Sequence, residues 1–186
     1  MKRTAFLALA LLIVALMQPA YAADAPSFEL EDLEGDEYTL EGLLEGNKLL
    51  LIDFWQVGCK PCNKLMPHLQ EYYDKYKEQG VEFVIVSRDT SLTLAQVEPY
   101  FRSNKFTFTI LLDTDLEMSS DYGVKVAPAT FIIEPGGEMI YQHYGYKPGE
   151  EEDIPQVIEA YLAGEEIELS EDGEIEQVEG GEEPEG

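Results

Sequence analysis

The chain has 186 residues, 45% of them apolar and 11% aromatic, which is enough for one domain with a buried core. Thirty-eight Asp and Glu stand against twelve Lys and Arg, for a formal net charge of -26. A field of that sign repels phosphate backbones and anionic lipid surfaces, so the expectation is no nucleic acid as a partner.

At the start of the chain, Lys2 and Arg3 precede thirteen unbroken apolar residues, 5–17, and Ala20-Tyr21-Ala22 follows. This order predicts a secretory signal peptide over residues 1–22 with cleavage after Ala22, and hence a periplasmic or otherwise extracytoplasmic protein. The rival is an uncleaved N-terminal anchor, but the apolar run falls short of the roughly 20 residues that cross a bilayer as a helix, so the mature chain is not expected to span a membrane. Without that segment the chain keeps 10 Lys and Arg against 38 acids.

Short alternating runs around Glu34-Gly35-Asp36 predict a β-hairpin near residues 28–30 and 37–40. Residues 48–55, KLLLIDFW, form a nearly continuous apolar run expected of a central strand covered on both faces. From Pro61 onward, Leu65, Leu69, Tyr72 and Tyr76 recur at spacings of four, three and four, and Gly80 closes an amphipathic helix. Residues 81–87 read as a second buried strand, and residues 92–104 as a helix that Pro99 kinks or restarts. A third central strand is expected to end at Asp113, followed by a short helix over residues 116–124. Pro135-Gly136-Gly137 separates two antiparallel strands, and Ile154, Val157, Ile158, Tyr161 and Leu162 mark a closing helix that ends at Gly164.

The expected fold class is therefore α/β, with a mixed central sheet flanked by helices over residues 23–164. Residues 165–186 carry eleven acids and no Lys or Arg, and they read as a disordered acidic tail.

The two cysteines of the chain, Cys59 and Cys62, lie between the first central strand and the amphipathic helix. A structural bridge is the ordinary use of two cysteines in an exported protein. Closing four residues restrains the unfolded chain by only about 2 kcal/mol, against about 3 for a fifteen-residue loop, so a bridge made for stability belongs elsewhere. A reactive pair fits better. Pro61 suits the first turn of a helix, which puts Cys59 at its N-terminus, where free N–H groups, the helix dipole and the neighbouring Lys60 all favour a thiolate. Cys59 is then the nucleophile and Cys62 the resolving thiol. Disulfide exchange of this kind needs no cofactor. A metal site would have to recruit His68 and His143, both of which have simpler readings as a solvated and a partly buried side chain.

Asp53-Phe54-Trp55 ahead of Cys59-Lys60-Pro61-Cys62 resembles the active-site segment of thioredoxins. The stretch 27–163 is similar to the exported TlpA/ResA-like thiol-disulfide oxidoreductases, with the N-terminal hairpin and an inserted helix and strand over residues 91–113 marking that branch. The resemblance implies a thioredoxin fold and disulfide-containing protein substrates. It also implies a membrane-linked thiol electron donor, because the space outside the cytoplasm has no reducing pool of cytosolic strength. By position, Trp55 matches the aromatic under the active-site loop, Asp53 the buried carboxylate that takes the proton of Cys62, and Pro128 the family's cis-proline. Ala127, the residue before it, is then the one whose backbone pairs with substrate. Members active in cytochrome c maturation carry an acidic residue between the cysteines where this chain has Lys60, and Lys60-Pro61 lacks the histidine of strongly oxidising relatives. The expected direction is reduction.

Two rivals come from other classes. A copper or zinc carrier of the Sco type would space its cysteines by three residues, and a peroxidase of the peroxiredoxin kind would place Thr or Ser where this chain has Gln56.

Overall fold

A computed structural model describes residues 23–165; the expected signal peptide and most of the acidic tail lie outside the described residues. A five-stranded sheet organises the molecule, in the order β5-β4-β3-β6-β7. Its strands are β3 (Leu49–Trp55), β4 (Val81–Ser87), β5 (Thr109–Leu112), β6 (Ala129–Ile133) and β7 (Met139–Tyr144). β3 pairs parallel with β4 and antiparallel with β6, so the sheet is mixed, as the alternation of apolar runs with helical periodicity implied. The hairpin β1 (Glu29–Glu31) and β2 (Glu37–Thr39) forms its own two-stranded sheet.

Side chains of a strand alternate between faces, and β3 shows what each face meets. Leu49, Leu51 and Trp55 pack with α2 (Lys60–Tyr76), α3 (Val97–Asn104) and α5 (Asp153–Ala163). Leu50, Ile52 and Phe54 face α1 (Leu40–Leu44), α4 (Glu117–Asp121) and the hairpin. All seven residues of β3 are buried, which is why the run is apolar throughout rather than alternating.

Two expectations need correction. The run ending at Asp113 is a border strand and not a central one: β5 pairs only with β4 in the sheet, and its other side is bridged at Leu111 by Asp32, in the hairpin turn just after β1. Ile110 and Leu111 are buried on opposite faces of the strand, one in each core layer, which is why the run is apolar although it lies at the border. Helix α1 went unpredicted. Thr39 closes the hairpin and caps this helix, its hydroxyl accepting from the Gly42 N–H at 3.1 Å. Pro99 behaves as expected, since it sits in the first turn of α3 after a 3-10 turn over Leu94–Gln96.

Candidate active site

Cys59 is the N-cap of α2, in extended backbone conformation, and Lys60 and Pro61 are the first two helical residues. Gly58 precedes it at φ +81, a conformation that a side chain would strain, and lets the chain turn from β3 into the helix. Cys59 and Cys62 are joined as a disulfide across 5.3 Å between their Cα atoms. The two sulfurs are not equivalent. Cys62 is fully buried, while Cys59 is half-buried and accepts the Cys62 N–H at 3.2 Å. The first turn of α2 carries no acidic residue, so nothing competes with a Cys59 thiolate for the positive end of the helix.

Opposite the disulfide lies the loop before β6. The Ala127–Pro128 peptide bond is cis, and the Ala127 carbonyl oxygen is 3.5 Å from Cys59 Sγ. The neighbouring backbone is tied back by the Gly145 N–H, which donates to the Pro128 carbonyl at 2.8 Å.

Asp53 projects from β3 on the same face as Trp55 and Cys62, beneath the helix that carries the disulfide. It is fully buried. Oδ1 accepts from the Thr130 hydroxyl at 2.7 Å, and Oδ2 has no hydrogen-bond partner. Loss of water around the charged form pushes its pKa up to about 8, against a smaller lowering by Thr130. Trp55 is fully buried between Tyr100, at 4.8 Å, and Phe101, at 5.4 Å between ring centroids. Its indole N–H reaches Asn63 Oδ1 at 3.2 Å, which ties the end of β3 to the first turns of α2.

Three supporting residues were not foreseen. Asp89, buried just past β4, accepts the Val57 N–H at 2.9 Å and the Ser87 hydroxyl at 3.0 Å, and so holds the loop leading into Cys59. Arg88, its neighbour, donates to the Val124 carbonyl at 3.1 Å and to Ser119 Oγ at 2.9 Å, which fixes the approach to the cis-proline loop. Thr130 completes the set by binding Asp53. None is near the cysteines in sequence, and only the end of β4 brings Arg88 and Asp89 between the two loops. The histidines lie elsewhere: His68 Nε2 is 3.6 Å from Glu151 and His143 Nε2 is 3.2 Å from Glu150, so both face carboxylates rather than the thiols.

A mixed sheet of this order, with a Cys-x-x-Cys pair heading a helix opposite a cis-proline, defines the thioredoxin-fold thiol-disulfide oxidoreductases. Comparison with known proteins agrees. The AhpC/TSA family matches residues 22–142. The chain is 34% identical over 139 residues to thiol-disulfide oxidoreductase ResA of Bacillus thuringiensis (strain Al Hakam), covering 75% of each. It is 38% identical over 122 residues to ResA of Halalkalibacterium halodurans, covering 65% of this chain and 66% of that one. Among solved structures, a putative thiol:disulfide interchange protein DsbE from Chlorobium tepidum superimposes with a TM-score of 0.70 at 28% identity, over 78% of this chain and 99% of that one. The chain belongs to the AhpC/TSA family, among its ResA-like thiol-disulfide oxidoreductases.

Proposed function

We propose that the chain is an exported reductant of protein disulfides. The observation that carries this reading is the asymmetry of the pair, with half-buried Cys59 heading α2 against the Ala127 carbonyl and Cys62 sealed behind it. In the reduced protein the Cys59 thiolate attacks one sulfur of a partner disulfide, and the other partner sulfur leaves as a thiolate. The Cys62 thiolate then attacks Cys59 Sγ and expels the second partner sulfur. Two electrons pass to the partner and the Cys59–Cys62 bond forms.

Asp53 serves the second step. A carboxyl with its pKa near 8 is partly ionised at neutral pH, so it accepts the proton of Cys62 and returns it in the reverse direction. Lys60 and the N-terminus of the helix that Pro61 starts favour the Cys59 thiolate, and Trp55 holds the floor of the loop. The backbone of Ala127, beside cis-Pro128, pairs with the partner chain as an added strand. The pattern of residues 1–22 supports export, with 23–164 as the domain and 165–186 as an appended tail. Outside the cytoplasm the electrons have to come from a membrane-linked thiol donor. No helix among the described residues is long and apolar enough to cross a membrane.

The reduction potential of the Cys59/Cys62 pair, measured by equilibration in thiol buffers, tests the direction. A value near about -270 mV supports a reductant, and one near about -120 mV makes the protein an oxidant and overturns the direction. Retention of disulfide-exchange activity by Cys59→Ser would overturn the reading as a whole.

A further inference from the structure

Acids outnumber Lys and Arg 38 to 12 in this chain, yet the surface beside the cis-proline loop runs the other way. A cavity of about 280 Å³ opens there, and its charged lining is Arg88 and Lys125 with no carboxylate. Glu117 and Asp121, on the same short helix as the lining residues Ser119 and Ser120, do not line it. Asp113, behind Ser119, is fully buried and already takes the N–H groups of Met118 and Ser119 and the Ser119 hydroxyl.

The two cations of this lining also form no ion pair among the described residues. Lys75, Lys77, Arg102 and Lys147 are each ion-paired. Lys60, Lys64, Arg88 and Lys125 have no ion pair among the described residues. Arg88 spends Nε and one terminal nitrogen on Ser119 and Val124, and its other terminal nitrogen makes no hydrogen bond among the described residues. Apolar surface is exposed at the same place: Val126, 59% exposed, follows Lys125, and Tyr144, 47% exposed, lies opposite Ala129 in the β6–β7 pairing.

Lys125 is two residues from Ala127, so their Cα atoms are at most about 7.6 Å apart, and the Ala127 carbonyl touches Cys59 Sγ. A partner strand laid along Ala127 advances about 3.3 Å per residue. Side chains two to four residues from its cysteine therefore come level with the cavity.

We infer that this cavity is a specificity pocket for an aspartate or glutamate near the reactive cysteine of the partner, so that the protein selects disulfides set in acidic segments. The inference rests on the thiol-disulfide reading above. At physiological salt the screening length is about 8 Å, so the long-range repulsion from the rest of the acidic protein is damped while contact with Arg88 and Lys125 is not. A guanidinium offers a carboxylate two parallel N–H donors, of which one nitrogen remains open here.

The test uses ten-residue peptides differing only in whether Glu, Gln or Lys stands at the positions two to four residues from the cysteine, presented as disulfides to the pre-reduced full chain and as serine versions for binding. Expected is an order Glu over Gln over Lys in both single-turnover rate and affinity, with about fivefold, or about 1 kcal/mol, between Glu and Gln. Lys125→Gln brings that ratio close to one and Lys125→Glu inverts it. On the unaltered protein, raising salt from about 10 mM to about 1 M, which cuts the screening length from about 30 Å to about 3 Å, erases the preference. Equal binding of the three serine peptides, or a preference indifferent to both salt and Lys125→Glu, would overturn the inference. Ordered binding without any disulfide reduction would uphold the pocket and overturn the thiol-disulfide reading instead.

Discussion

Replacing Asp53 by Asn keeps the shape of the side chain and removes its ionisation, so the consequences of burying a carboxyl can be separated from everything else. The group goes from an ordinary pKa of 3.8 to about 8 in the folded protein. Between those values the native state holds one proton more than the unfolded chain, and each pH unit crossed removes about 1.4 kcal/mol of stability. The contribution is whole below about pH 4, declines as pH rises, and levels off above about pH 8. At pH 7 the loss amounts to about 4 kcal/mol relative to acid, a large share of the 5–15 kcal/mol typical of a domain. The variant lacks this decline but buries an amide N–H₂ beside the Oδ2 position that has no partner, at a constant cost of about 1–3 kcal/mol. Urea unfolding of both oxidised proteins between pH 5 and 7.5 is the assay, and the difference between them cancels the titration of every other group. The variant should gain about 3 kcal/mol on the natural protein across that interval. In stopped-flow exchange it should also slow resolution of the mixed disulfide by Cys62 more than its formation at Cys59. A stability difference flat with pH would refute the buried neutral carboxyl, and equal slowing of both steps would remove Asp53 as the proton acceptor.

Asp89→Ala leaves the Val57 N–H and the Ser87 hydroxyl without their acceptor, so the urea midpoint should fall by an amount worth about 2–3 kcal/mol with the slope unchanged. An unchanged midpoint would mean the loop ahead of Cys59 is held by other contacts. Removing residues 166–186 should leave stability within about 0.5 kcal/mol and disulfide exchange unaltered, as measured by the same unfolding curves and by insulin reduction. A large loss of either would make the tail part of the working protein.

The central strands and α2 were readable in advance because burial on both faces leaves continuous apolar runs and a covered helix leaves a 3.6-residue rhythm. Cys59 and Cys62 were readable through the chemistry their spacing and Pro61 permit, and Pro128 only through resemblance. What escaped notice has identifiable causes, one local and the others set by long-range pairing. The five residues of α1 include Gly42 and offer too few positions for periodicity, although Thr39 as a cap was a usable signal. The position of β5 at the border follows from which strands pair, β4 on one side and only the isolated bridge from Asp32 on the other, and pairing between distant residues leaves no trace in local periodicity. Arg88 and Asp89 look like an ordinary charged turn after a strand, and their grip on the loops either side of the disulfide exists only once β3, β4 and β6 are assembled.

The stretch before β3 fastens the sheet at opposite borders. Near its start, the Met139 N–H donates to the Ala23 carbonyl and the Ala25 N–H to the Gly137 carbonyl, at the beginning of β7; further on, Asp32 bridges Leu111 on β5. Between these points Phe28 and Leu30 lie against the apolar face of the sheet. One strap thus engages backbone groups at both borders that would otherwise be open to pairing with another molecule. It is also the first part of the domain to be synthesised and among the last able to dock, since its partners in β5 and β7 come much later in the chain. Trimming this strap would therefore cost more than the contacts removed, because both borders would open together to any neighbour offering a strand.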